Sequence, residues 1–307
     1  LRNTFKEREL LMDFKIWLKN EGKREQTIQV YARSVRQFME WLHISHGQNW
    51  NPDEISAKVI HEWIHYMQTI EKVAKPTINK RIASLKVYWS YLIEQKIAIY
   101  DPTKKIKIKR ISRLEDTPRW LNEIEQVKLL NLIRRETNER KRKRNMAMVR
   151  LMLQAGLRIG EVANLDLEDY RKIGSVGTIT IREGKGGKLD VVKAVKDICR
   201  ALDEWMEVRG QSIDSTALFL STHQKKVTRQ AIHKQVKPLL EQVSPKGGLT
   251  THSLRHTYCK NLLEVSGGDL VLVAQMARHE SIETTRRYVT PSVEEQWSIL
   301  QKLSEER

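Results

Sequence analysis

Apolar residues along the first hundred positions recur at intervals of three and four, the period of helices that bury one face. Phe5, Leu10, Leu11, Phe14, Trp17 and Leu18 form one such stripe, and Glu21-Gly22 supplies its stop. A second begins near Thr27 with Ile28, Tyr31, Val35, Phe38, Trp41 and Leu42, and a third near Ser56 with Ile60, Trp63, Ile64 and Met67. The fourth starts near Pro76, whose missing amide is tolerated in a first turn, and carries Ile78, Ile82, Leu85, Trp89 and Leu92. Strand signals are almost absent here, and four such helices suffice for a small bundle.

The pattern changes between Pro102 and Pro118. Lys104, Lys105, Lys107, Lys109 and Arg110 alternate with isoleucines and precede Asp116-Thr117-Pro118, which reads as an extended basic linker. The expected organisation is a helical domain over 1–103, a linker over 104–117 and a second domain over 118–307. Beyond Pro118 a helix from about Asn122 carries Ile124, Val127, Leu130 and Ile133, and the charge-dense Arg134 to Arg144 suits a loop or a solvated helix end. A buried helix follows through Met146, Met148, Val149, Leu151, Met152 and Leu153. Gly156 ends it, and a turn and new helix open at Leu157 to Val162. Residues 176–194 form the one clear strand region, with Thr178–Ile181 and Leu189–Val192 joined by a glycine-rich tip, Gly184 to Lys188. Helices resume over Lys196–Val208, Arg229–Gln242 and His252–Val265, then continue from Asp269 nearly to the end. The fold class is mainly α with a small β-hairpin or sheet, the second domain being α+β.

Composition narrows the partners. The 307 residues exceed the usual single-domain size, and 40% hydrophobic content favours globular structure over disorder. A formal charge of +17 favours a polyanion, with nucleic acid ahead of an anionic membrane. Lys23, Arg24, Arg33, Arg36, Lys72, Lys75, Lys80, Arg81 and Lys86 lie on the polar faces of the first four helices, and each could simply be solvated. With the basic linker added, Lys80, Arg81 and Lys104 to Arg110 become candidate DNA contacts, because an extended basic segment can follow a phosphate backbone. No run of 18 apolar residues and no secretory pattern occurs at the amino end, so a soluble cytoplasmic protein is expected. Cys199 and Cys259 are isolated in sequence, which suits a reduced compartment and a structural role.

Taken singly, the candidate chemical residues have ordinary readings. Arg158 and Glu161 could be an i,i+3 surface pair, Lys185 part of a polar turn, and His252 a structural histidine on one helix face with Arg255. The Gly184 to Lys188 tip lacks the spacing of a nucleotide-binding loop, and no His or carboxylate cluster has metal-ligand spacing, so neither a cofactor nor a metal is expected.

Jointly, these residues resemble the catalytic signature of the tyrosine recombinases, the phage-integrase and Xer-like family. Gly156-Leu157-Arg158-Ile159-Gly160-Glu161 resembles the first arginine segment, Gly184-Lys185-Gly186 the hairpin lysine, and His252-Ser253-Leu254-Arg255-His256 the histidine-arginine box. His279 and Tyr288 have the required separation of nine. The first helical segment, with Thr27 and Tyr31 opening its second helix, resembles the family's SAM-like core-binding domain, and this coverage leaves no room for the arm-binding domain that some phage integrases carry. Two positions depart from the pattern: Arg278 stands where a glycine is usual, which could matter for close packing, and Thr290 where histidine is frequent.

The resemblance implies a site-specific DNA recombinase acting through a 3′-phosphotyrosyl intermediate and a Holliday junction, without ATP or metal. Integration or excision of a mobile element, cointegrate resolution and dimer resolution all remain open as its task. Tyr288 is the implied nucleophile, with Arg158 and Arg255 clamping the phosphate, His252 as base, Lys185 as general acid, His279 bonding the phosphate and Glu161 orienting the site. Implied partners are double-stranded DNA with paired recombination sites and three further copies of the chain, joined through an amphipathic last helix with Val293, Trp297, Leu300 and Leu303. A type IB topoisomerase-like relaxing enzyme and a silent DNA-binding regulator are the alternatives.

Overall fold

The computed structural model describes the chain except for residues 1, 48–50, 109–117, 183–188, 211–214, 246, 280, 287, 289–296, 298, 299, 302, 306 and 307, and it describes residues 2–6 through their backbone alone. The contacts divide it into two compact units, Leu1–Glu115 and Asp116–Arg307.

The first unit consists of α1 (Arg2–Asn20), α2 (Glu25–His46), α3 (Ala57–Thr69) and α4 (Lys75–Glu94). The stripes expected from the sequence face one another. Phe14, Phe38, Trp63, Leu85 and Trp89 are fully buried, with the Phe38 and Trp63 rings edge to face at 5.0 Å. The side chain of Phe5 lies outside the described residues. Gly22 and Gly47 follow α1 and α2 with positive φ, closing those helices as C-terminal glycines commonly do. The described start of the expected linker is not a free extended strand. Residues 102–105 turn, and Ile106 is 2% exposed in the core of this unit, while Lys104, Lys105 and Lys107 point to solvent. Pro102 and Thr103 are buried as well, and Thr103 N donates to Asp101 Oδ1 at 2.7 Å, so the segment is held at several points.

In the second unit α5 (Glu123–Arg134) is opened by an Asn122–Glu125 capping box. It leads to α6 (Glu139–Gln154), α7 (Ile159–Asn164), the strands β1 (Tyr170–Ile173), β2 (Val176–Ile181) and β3 (Asp190–Ala194), α8 (Lys196–Arg209), α9 (Arg229–Val243), α10 (Thr251–Val265), α11 (Leu270–Met276) and α12 (Ile282–Arg286). α6 is buried on nearly every face from Arg144 to Leu153 and packs against α8 on one side and α10 on another. The sheet is antiparallel in the order β1-β2-β3, with Tyr170 opposite Ile179 and Ile179 opposite Val192.

Three expectations change. The apolar set expected for α5 holds only in part: Ile133 is buried, but Ile124 and Val127 are 79% and 59% exposed, and Leu129 is buried in their place. Successive steps of three residues each fall about 60° short of a full turn, so that set drifts around the helix rather than following one face. The charge-dense stretch is, as expected, a short loop and a solvated start of α6, except that Arg144 is buried, donating to Leu220 O at 2.8 Å and Gln235 Oε1 at 3.0 Å. β1 was missed because only Tyr170 of its four residues is buried, which leaves no alternation to read. After Asp269 helices continue as expected: α11 stops at Met276, and Arg278 takes a φ of +55° before α12 begins.

The turn between α6 and α7 depends on Gly156. Its φ is +64°, and a Cβ there would overlap the ring of Tyr258. Gly156→Ala should therefore lower unfolding stability by about 2 kcal/mol or more, measured by denaturant titration, since neither the backbone nor the ring can accommodate a methyl group without shifting.

Candidate active site

Arg255 organises the site. It projects from the second turn of α10, a helix opened by Thr250 and Ser253 and fixed to the start of the unit where Leu121 N donates to Thr257 Oγ1 at 2.9 Å. The arginine is 2% exposed, and its Nη1 and Nη2 donate to the main-chain oxygens of Gly156 and Ala277. One guanidinium thus ties the α6–α7 turn to the α11–α12 turn. Burial and then the nearby Arg158 charge lower its pKa to about 10, so it is still cationic at neutral pH.

Arg158 stands immediately before α7. Glu161, three residues on, accepts from Arg158 N at 2.7 Å and Arg158 Nη1 at 2.9 Å, while Arg158 Nη2 reaches Arg278 O at 3.3 Å. The consecutive carbonyls of Ala277 and Arg278 therefore each hold one of the two arginines expected to act together. Arg278 also reaches into the site, its Nη2 donating to Glu161 Oε2 at 2.7 Å. Burial pushes the Glu161 carboxyl up, but Arg278, Arg158 and the bond from Arg158 N together outweigh it, and the group is held below its usual range. Two guanidiniums share the Glu161 carboxylate and a third, that of Arg255, lies nearby without a carboxylate of its own, so the cluster keeps an excess of positive charge.

The positive φ at Arg278 gives a physical reason for a glycine at this position. A left-handed backbone costs most residues about 1–2 kcal/mol and glycine almost nothing. Backbone conformation, rather than the close packing expected from the sequence, is the constraint seen here.

Tyr288 is 3% exposed and belongs to a small apolar cluster with Cys259, Leu263, Val273 and Ala277. Its hydroxyl lies 2.6 Å from Nδ1 of His256. His252, one turn earlier on α10, packs edge to face on the His256 ring at 4.4 Å. The imidazole in contact with the phenol is therefore His256 rather than His252, the base implied by family resemblance. Protein packed around the His252 ring, then the charges of Arg255 and Arg158, lower its pKa, even though its outer edge meets solvent. His279 stacks near Tyr288 with ring centroids 6.2 Å apart, and its Nδ1 lies 2.8 Å from Thr285 Oγ1.

The structure thus brings together Arg158, Glu161, His252, Arg255, His279 and Tyr288. Lys185 lies outside the described residues, between the end of β2 and the start of β3, as do Lys109 and Arg110. Of the other candidate DNA contacts, Lys80 is exposed, whereas Arg81 is engaged with Glu71 at 2.6 Å. The sequence assigns no role to His256 or Arg278. The i,i+4 spacing of His252 and His256 and the i,i+7 spacing to Cys259 put them on one stripe of α10, but nothing in the sequence aims that stripe at Tyr288. Among the described residues no group of three His, Cys, Asp or Glu is placed to hold a metal ion, and no helix is long and apolar enough to cross a membrane.

A buried phenol next to imidazoles, with guanidiniums fixed in pairs, is suited to nucleophilic attack on a phosphodiester. Comparison with known proteins agrees with this class. Residues 119–295 match the phage integrase family, and residues 10–99 match the phage integrase N-terminal SAM-like domain. The chain is 27% identical over 282 residues to the TnP I resolvase of Bacillus thuringiensis, covering 91% of this chain and 94% of that one. It is 30% identical over 275 residues to tyrosine recombinase XerD of Staphylococcus aureus, covering 87% and 88%. Among solved structures, the XerH site-specific recombinase bound to its palindromic difH substrate shares the fold, with a TM-score of 0.73 and 24% identity over 90% of this chain and 79% of that one. The chain belongs to the phage integrase family and is a tyrosine recombinase, an enzyme of DNA strand breakage and rejoining.

The crowding of positive charge around the imidazoles has a measurable consequence. Burial, then Arg255, Arg158, His252 and Arg278, lower the His279 pKa to about 4, below the ordinary 6.5 of the unfolded chain. On acidification the unfolded state binds this proton first, so the contribution to stability is present above about pH 6.5 and is lost as pH falls toward 4. The melting temperature should fall across that window, and His279→Asn should flatten part of the fall.

Proposed function

We propose that the chain binds double-stranded DNA at paired recombination sites and exchanges strands through a covalent intermediate on Tyr288. The observation that carries this reading is the buried Tyr288 hydroxyl, 2.6 Å from His256 Nδ1, in the same site as Arg255 and Arg158. Arg158 and Arg255 clamp the non-bridging oxygens of the scissile phosphate, where negative charge grows during attack; guanidiniums stay cationic and can donate paired bonds. A phenol near pKa 10 needs help to lose its proton. His256 is the acceptor that touches it, and His252 faces the phosphate beside the two arginines. The Tyr288 oxygen bonds to phosphorus, and the bond to the 5′ oxygen breaks. Lys185 on the β2–β3 tip supplies the proton to that leaving oxygen, as the family resemblance implies. His279 donates to a phosphate oxygen, and Glu161 holds Arg158. The 3′-phosphotyrosyl link retains the energy of the broken bond, so the 5′ hydroxyl of another strand can reseal it.

Further parts of the reading concern assembly and place. The unit Leu1–Glu115, which includes the start of the segment expected as a linker, acts as a core-binding domain and the unit Asp116–Arg307 as a catalytic domain, and Lys80, Lys104, Lys105 and Lys107 contact the DNA backbone. Four copies assemble on two sites, exchange strands through a Holliday junction and serve element movement or the resolution of joined replicons. The reaction takes place in the cytoplasm, which the free, buried Cys199 and Cys259 suit. Trp297, Leu300 and Leu303 in the last helical segment are 68%, 56% and 57% exposed on the single chain, which supports docking of this segment on a neighbouring copy.

The test is to incubate the protein with nicked genomic DNA fragments of its source organism and to recover and sequence the DNA linked to protein. Wild-type protein should yield adducts at a defined site. Tyr288→Phe should bind that site and yield none, and a wild-type protein without adducts rejects the enzyme reading. Truncation after Pro291 should leave site binding in place but remove the cooperativity of a gel-shift titration; unchanged cooperativity rejects docking through the last segment.

A further inference from the structure

Arg278 combines three features that a structural residue would not be expected to combine. It holds a left-handed backbone conformation, φ +55°, although it has a side chain. Its side chain is 11% exposed, and of its donor nitrogens Nη2 is used by Glu161, while Nε and Nη1 are buried without a hydrogen-bond partner. An unmade bond at a buried donor is unfavourable, and a strained backbone persists only where its surroundings impose it. Glycine at this position would avoid all of these costs.

What the residue does touch is informative. Glu161 is the partner of Arg158, and Arg278 binds the oxygen, Oε2, that also accepts from Arg158 N. Arg278 O accepts from Arg158 Nη2. Both its ends therefore act on Arg158, one through the main chain and one through the shared carboxylate. Without Arg278, Glu161 would be left to Arg158, and a carboxylate bonded to one guanidinium cancels its charge. With Arg278 present the carboxylate is divided between two cations, so Arg158 is held in place but not neutralised.

We propose that Arg278 is a positioning residue that acts through Glu161 to keep Arg158 both fixed and cationic toward the scissile phosphate. This rests on the recombinase reading above, and it concerns a residue at which the chain departs from the family pattern. The side chain offsets the carboxylate that orients the site, and the main-chain carbonyl supplies the second anchor for Arg158 whichever residue stands there.

The experiment uses the full chain and the DNA site recovered by adduct sequencing, with single-turnover cleavage rates, DNA affinity and melting temperature measured for Arg278→Gly, Arg278→Lys, Glu161→Gln and the double variant Arg278→Gly/Glu161→Gln. Arg278→Gly should cleave about tenfold or more slowly, with DNA affinity within about threefold of wild type and a melting temperature equal or higher, since glycine suits the backbone. Arg278→Lys, which keeps a charge that can reach Glu161, should recover part of the rate. In the Glu161→Gln background there is no carboxylate left to offset, so Arg278→Gly should change the rate by less than about threefold. Cleavage by Arg278→Gly at the wild-type rate overturns the role of Arg278 and leaves the recombinase reading standing. So does a loss that keeps its full size in the Glu161→Gln background, because Arg278 would then not act through Glu161. Absence of adducts with wild-type protein overturns both.

Discussion

The buried guanidinium of Arg255 is the constraint on which the site depends. A cation removed from water must be bonded, and here two main-chain carbonyls from segments far apart in sequence, Gly156 O and Ala277 O, provide the bonds. Those carbonyls can converge only if the turn after α6 and the turn after α11 approach the same side of α10. The left-handed residues Gly156 and Arg278 make those turns. Arg158 and His279 are then in place because each lies two residues or fewer from such a turn. The geometry of the site is thus largely set by backbone conformation at two positions, with one side chain linking them.

Charge is the second organising effect. Three arginines with one carboxylate among them create a site that is incomplete without an anion, and burial first, with the arginine charges second, shifts His252 and His279 toward their neutral forms. A neutral imidazole can accept a proton from a phenol, whereas a protonated one cannot. An incoming phosphate would offset the arginine charges and make the imidazoles more basic as the substrate arrives, which couples binding to readiness for proton transfer.

Placement of Tyr288 follows from packing more than from charge. The ring completes a small apolar cluster with α10 and α11 while its hydroxyl remains at the polar edge, against His256. A phenol is suited to such a boundary, with a large apolar body and one polar end.

The sequence by itself determined the helical bundle of the first unit, the buried character of α6 and most of the residues that meet in the candidate site. These properties are carried by local periodicity and by motifs of fixed spacing, which short-range geometry preserves. It put Ile124 and Val127 on the buried face of α5, missed β1 and did not show that Arg144 is buried at the end of a solvated stretch, because exposure of Ile124 and burial of Arg144 depend on which distant elements cover them. Only the tertiary structure decided that His256 meets the phenol and that Arg278 shares Glu161. Both pairs join segments more than thirty residues apart, and their contact is fixed by how α7, α10 and the turn after α11 pack together.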